Sequence, residues 1–411
     1  MSQVKEFSIS VPQEHIDRLK QKLSLTTFPD ELDDAGWDYG APLADIKRLH
    51  NHWLNNYDWR THEQKINRDA GSQYTADVPV EGFGSLNIHF VHQKSKVKDA
   101  IPLLFCHGWP GSFIEVFKIL PALLEGGNGA PAFHVVAPSL PGYGFSEGAK
   151  KRGFGPVQCA ELCHNLMLSL GYPSYATQGG DWGYFITRLM GLAYLSHCRA
   201  SHINMATPSW PKPHTNPLLF AQFLVTPFSA AERAGLERSK WFEKEGMGYF
   251  KQQATKPQTI GYAQADSPVG LLAWIYEKLH DWTDWYPWTD DEVITWVSIY
   301  WFSRAGPTAA ARLYYEAMHD KSTGDLLQIV GGWVPGVKLG IAHFPKELIN
   351  LPRLWHQGMG EVVFESVYKS GGHFAAWERP DAIVDDLRKM FGRGGGAFGV
   401  VGGCSGYDNE G

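Results

Sequence analysis

The sequence predicts an α/β fold with a mostly parallel central sheet, a helical cap and an N-terminal segment ahead of the core. Three observations predict it. Short apolar strands alternate with helices through the middle of the chain, a rhythm that calls for a parallel sheet covered on both faces. Strand signals then give way, from about 208 to 330, to aromatic-rich helices. They return afterwards and end in a closing helix. A chain of 411 residues, 44% hydrophobic and 19% charged, can bury one large core with an insertion.

Residues 1–95 read as an N-terminal segment of helices and turns ahead of the core. VPQEHIDRLKQKLSL places Ile16, Leu19 and Leu23 at helical spacing. PLADIKRLHNHWLNNYDWRTHEQKIN reads as a second amphipathic segment, ending near Trp59, and SLNIHFVHQK alternates as a half-buried strand does. The first part of the core, 96–207, holds the strands of IPLLFCHGWPGS, FHVVAPSLPGYGFS, YATQGGDWG and RASHINMATP. Residues 208–330 form the candidate cap, with LLAWIYEKLHDW and VITWVSIYWFS its clearest helices. The core resumes over 331–392 with KLGIAHF, EVVFESVY and the closing helix PDAIVDDLRKMF. Residues 393–411 are Gly-rich and are expected to be a disordered tail.

A formal net charge of -6 without a basic stripe argues against nucleic acid as a partner. No run reaches the roughly 18 apolar residues of a membrane span, and MSQVKEFSISVPQEH lacks the regions of a signal peptide. Five cysteines are an odd number without framework spacing, as in a reducing compartment. A cytoplasmic protein is expected. Cys159, Cys163 and His164 share an apolar helix without a second ligand pair, so they read as buried groups and no metal is expected. The 16 Trp exceed what a core needs and hint at an aromatic-lined cavity.

The strongest local signal is Gly179-Gly180-Asp181-Trp182-Gly183. A G-x-nucleophile-x-G turn between strand and helix projects its central side chain above the sheet, where α/β-hydrolases carry their nucleophile. Asp in place of Ser changes the chemistry. An ionised carboxylate attacks an electrophilic carbon without a base and leaves an ester on the enzyme, which water must then hydrolyse. An isolated Asp here reads equally well as a cap for the helix that follows. Other residues remove the isolation. His107-Gly108-Trp109-Pro110-Gly111-Ser112 ends a strand where this fold supplies an oxyanion-hole amide, so Trp109 and Trp182 are the expected donors. Gly371-Gly372-His373-Phe374 follows the last strand and offers His373 as general base, although one His among 17 is usually structural. Glu347, just past KLGIAHF, can orient it, and the order nucleophile, acid, His is that of the fold. A surface Glu is the bland alternative.

Together HGWPGS, GGDWG, FPKEL and GGHFAAWE resemble an epoxide hydrolase of the α/β-hydrolase fold. The likeness extends over roughly residues 5–392, and VPQEHIDRLKQKLSLTTFPDEL resembles the wrapping segment of the microsomal and soluble fungal branch. The Gly-rich tail matches nothing in it. The resemblance implies two cap tyrosines that protonate the epoxide oxygen, one before TKP-x-T-x-G and one in R-x-Y-x-E. Tyr249 and Tyr314 fill these places, with Tyr315 the adjacent alternative. It further implies substrate contacts from Trp109, Tyr249, Tyr314 and Phe374, no cofactor, and an epoxide and water as the only small-molecule partners. A role in xenobiotic detoxification would follow, and a homodimer is possible. The alternatives are a haloalkane dehalogenase, which shares the Asp and His but needs halide-binding N–H donors, an ester hydrolase, disfavoured without the elbow Ser, and an inactive small-molecule binding protein.

Overall fold

The computed structural model describes residues 4–127, 129–320 and 325–408. Nine described strands form one sheet: β1 (Lys5–Phe7), β2 (Gln73–Val80), β3 (Gly84–Gln93), β4 (Ile101–Cys106), β5 (Phe133–Pro138), β6 (Tyr175–Gly179), β7 (Cys198–Ile203), β8 (Val334–His343) and β9 (Gly360–Val367). Their order is β1-β2-β3-β5-β4-β6-β7-β8-β9. The β1–β2, β2–β3 and β3–β5 pairs are antiparallel; from β5–β4 through β8–β9 every pair is parallel. This is the α/β-hydrolase sheet.

The N-terminal segment departs from its expectation, because three strands precede residue 95 rather than one. β1 is too short to show a period. In β2, Ala76, Val78 and Val80 do alternate inward, but Pro79 interrupts the pattern between them. The long amphipathic segment also splits. One helix runs Leu43–Asn55; Asp58 then accepts from the Arg60 and Thr61 amides and starts a second, Trp59–Ala70.

Residues 393–408 correct the expected disordered tail. Ala397 and Val401 are buried, and the Gly406 amide and carbonyl bond to Asp99 O and the Ala132 N–H, both at 2.8 Å. Gly395, Gly396 and Gly406 serve close approach, a Cβ on Gly406 lying 2.5 Å from Pro131 Cβ, whereas Gly394, Gly399 and Gly403 supply positive φ in open turns. Residues 409–411 fall outside the described residues.

Between 208 and 330 the described residues form helices and no strand, from Pro217–Val225 to Leu326–Val330. No helix among the described residues is long and apolar enough to cross a membrane.

Strand register positions the site. β4 lies between β5 and β6, so the crossovers on its two sides run in opposite directions and open a crevice at the carboxyl ends. Cys106 sits opposite Gly179, and Gly179 opposite Ile203, so the loops after β4, β6 and β7 leave the sheet side by side. At the far side Lys346 bridges Gly372, which joins the loops after β8 and β9.

Candidate active site

Asp181 occupies the turn between β6 and the helix Trp182–Ala193, with φ +49° and ψ −128°. A non-glycine residue in this region is strained, and the surroundings must hold it there. They are too tight for bulk, since a Cβ on Gly183 would lie 1.8 Å from the Cys106 carbonyl oxygen. The Asp181 side chain makes no cap hydrogen bond to the helix, which disposes of the capping alternative. Its Oδ1 instead accepts from the Trp109 N–H at 2.7 Å. Trp182 opens the helix, so its amide is one of the donors without an intrahelical partner.

The loop carrying Trp109 is pinned from the cap. Tyr300 Oη donates to Gly111 O at 2.6 Å, and Trp296 Nε1 donates to Pro110 O. Within it, His107 Nε2 accepts from the Leu140 amide and Nδ1 donates to Gly108 O; burial lowers its pKa to about 4, so it is neutral.

His373 and Glu347 meet as expected. Glu347 Oε1 lies 2.6 Å from His373 Nδ1 and also accepts from the Leu348 amide. His373 Nε2 lies 3.5 Å from Asp181 Oδ2. Burial opposes a charge on this imidazole, but the Glu347 and Asp181 carboxylates outweigh it and push the pKa up to about 10. The resting site is therefore an imidazolium between two carboxylates. Its loop is tied to the cap as well: the His373 N–H donates to Trp282 O, the Gly371 N–H to Asp284 Oδ2, and the Asp284 N–H to Glu378 Oε2.

The cap lowers Tyr249 and Tyr314 over Asp181. Tyr249 stacks on Trp109 with centroids 4.9 Å apart, and Tyr314 stands edge-on to Trp182 at 4.8 Å. Burial, with the Asp181 charge adding to it, raises both phenols well above their usual pKa, so they stay protonated. Among the described residues the Tyr314 hydroxyl has no hydrogen-bond partner. Tyr315 faces away and stacks on His319.

Residues 4–116 match the family model described as the epoxide hydrolase N terminus, and residues 101–229 match that of the α/β-hydrolase fold. The chain is 32% identical to epoxide hydrolase 1 of Sus scrofa, over 95% of this chain and 88% of the relative. It superimposes on the epoxide hydrolase of Aspergillus niger with a TM-score of 0.79 at 33% identity, covering 94% of this chain and 95% of the other. For the juvenile hormone epoxide hydrolase of Bombyx mori the TM-score is 0.84 at 30% identity, covering 94% and 93%. The chain belongs to the epoxide hydrolase family. The dehalogenase, ester hydrolase and inactive binding readings give way to it.

This epoxide hydrolase has two cavities at the site. The larger, about 610 Å³, is lined by Trp182, Phe185, Met247, Tyr249, Phe250 and Tyr314 among others. The smaller, about 20 Å³, lies on the His373 side and is lined by Trp109, Glu115, Asn204, His373 and Phe374 among others. Asp181 alone lines both. Trp109 and Phe374 thus stand beside the small cavity, and the substrate contacts expected of them are not placed in the large one. Sequence reading missed Trp282, whose ring lies 4.9 Å from His373 and 5.1 Å from Tyr249. It also missed Asn204, just past β7 and bonded to Gln178, and Glu115. Trp282 and Asn204 belong to no local motif and are brought in by strand order and the cap, whereas Glu115 closes a Ser112-x-x-Glu115 capping box just after the HGWPGS loop, a signal that could have found it.

Proposed function

We propose that this epoxide hydrolase makes vicinal diols through an ester on Asp181, with Tyr249 and Tyr314 as acids and His373 as base. The observation that carries the reading is the place of the Asp181 carboxylate, between two protonated phenols and the His373–Glu347 pair. Asp181 attacks a ring carbon as the carbon–oxygen bond breaks, and a phenol gives its proton to the departing oxygen. The imidazolium of His373 can return that proton to the phenolate. Loss of the Asp181 charge on alkylation removes one of the two carboxylates that kept His373 charged. His373 becomes the neutral base that the second half-reaction needs.

In that half-reaction His373, oriented by Glu347, takes a proton from water, and the hydroxide attacks the Asp181 carbonyl carbon. The Trp109 and Trp182 amides face the oxyanion; losing one such donor costs about 2.7–4 kcal/mol. As the acyl carbon–oxygen bond breaks, the leaving alkoxide takes the proton of the hydroxyl just added to the acyl carbon, so the diol leaves, Asp181 is again a carboxylate and His373 keeps the water's proton as the imidazolium. Charges and protons balance. The large apolar cavity suits an apolar epoxide.

A single turnover in heavy-oxygen water tests the scheme. The first diol should carry an unlabelled oxygen from Asp181, with the label left in the protein. Label appearing in the first-turnover diol overturns the covalent route.

A further inference from the structure

Glu115 is a buried acid that the two half-reactions leave without a role. It sits in the short helical turn Phe113–Val116, after the HGWPGS loop, and its Oε1 accepts from the Ser112 amide at 3.1 Å. Room is made for it. A Cβ on Gly111 would fall 1.8 Å from Glu115 Oε1, so glycine at 111 admits the carboxyl to the site. The carboxyl lines the small cavity together with Asp181, His373, Asn204 and Gln178.

That cavity has the dimensions of one water. Its volume is about 20 Å³, against the roughly 10–15 Å³ one water needs, with two to four polar partners. The residues around it supply those partners. It lies on the face of Asp181 turned away from the large cavity, which only Asp181 shares. An alkylated Asp181 would carry its alkyl group into the large cavity and leave the small one for the water that hydrolyses it.

We infer that the hydrolytic water is held in this cavity by Glu115, a positioning residue for ester hydrolysis that works beside His373. The inference rests on the ester mechanism proposed above. Burial pushes the Glu115 pKa up to about 8, with His373 pulling it down and Asp181 raising it further, so at neutral pH it is a carboxylic acid. A neutral acid suits the role. Oε1 is engaged by the Ser112 amide, which leaves the other oxygen to carry the proton and donate it to the water oxygen. The water then has one hydrogen free to point at His373. An ionised carboxylate would accept one of the water's hydrogens and compete with the base.

Quench-flow with intact-protein mass spectrometry separates the two steps in Glu115→Leu and Glu115→Gln. Leu should slow hydrolysis of the ester on the order of ten- to a hundredfold, as for a lost hydrogen bond to a reacting group. Alkylation should slow less, so the ester accumulates in the steady state. Gln, which keeps a donor and an acceptor, should fall between Leu and the parent. Gly111→Ala should mimic Leu by displacing the carboxyl. Ester hydrolysis at the parent rate in Glu115→Leu overturns the inference, as does an equal loss in both steps, the mark of a merely structural role. Failure of the ester scheme would look different, with no ester detectable in His373→Gln. Should the Leu variant not fold, a high-resolution crystal structure of the parent decides instead. One ordered water within hydrogen-bond distance of Glu115 and His373 is expected, and a dry cavity overturns the inference.

Discussion

On the sheet side of the site, the groups that bear charge are held by hydrogen bonds. Asp181 takes the Trp109 amide, Glu347 takes the Leu348 amide and the His373 ring, and the His373 loop is bonded to Trp282 and Asp284, with Asp284 in turn held by Glu378. On the cap side, Tyr249 and Tyr314 are placed by ring packing, and the Tyr314 hydroxyl has no partner among the described residues. The difference follows from what each side must do. A buried carboxylate is costly without fixed donors, so the sheet side supplies them before substrate arrives. A phenol that must find an epoxide oxygen is best left without a strong partner, and the Tyr314 hydroxyl is turned only towards Tyr249 and the Trp182 ring.

If that contrast holds, sheet-side changes should block one named half-reaction, and cap-side changes should weaken only ring opening. The largest effect is expected of Asp181→Ala, which should leave diol formation from styrene oxide at the uncatalysed rate. Next, His373→Gln should cut steady-state turnover about 10²–10⁴-fold, the range for loss of a general base. Its ester should persist on Asp181 and be visible as a mass increment. Full turnover by this variant would break the contrast on the sheet side. Tyr249→Phe and Tyr314→Phe should each slow alkylation by about one to two powers of ten, with the double variant worse than either. Loss of ester hydrolysis at an unchanged alkylation rate would remove both from the acid role. Tyr314→Phe, which deletes an unpaired hydroxyl, should raise the melting temperature slightly.

The smallest effects are in pH. kcat/KM reports the free enzyme, so its alkaline limb should follow His373 near about 10, before the more strongly shifted phenols ionise. Stability should follow the same group. Its folded pKa of about 10 lies above the ordinary 6.5, so its favourable contribution is complete below pH 6.5 and lost as pH rises towards 10. Urea titrations across that window would show it. A midpoint that rises with pH through the window would contradict the imidazolium assignment.

How much could be read in advance follows the same division. Asp181, His373, Glu347 and the Trp109 loop each lie just past a strand, and strand ends write themselves into sequence as apolar runs closed by Gly or, before Glu347, by Pro345. Tyr249 and Tyr314 carry no such mark. They were found through the likeness of their surroundings to a family, and Tyr315 could be set aside only once its ring was seen against His319. Asn204 and Trp282 carry no such mark, because contact between the loops after β4 and β7 and the cap depends on strand order; Glu115 does carry one, the Ser112-x-x-Glu115 capping box, but that pattern speaks of a helix start rather than of a site. The glycines of 393–408 misled in the opposite sense. Composition reads them as slack, whereas Gly396 and Gly406 stand where a Cβ would strike Val363 and Pro131.

The ties between the His373 loop and residues 282–284 bear on how ligands come and go. They work against a hinged lid, since raising the cap would break them and disturb the imidazole beside Asp181. Passage is left to small rotations at the rim of the large cavity, where Met318 and Leu327 are about half exposed and Met247 is unbranched. A side door at that rim would let ligands pass with the ceiling in place.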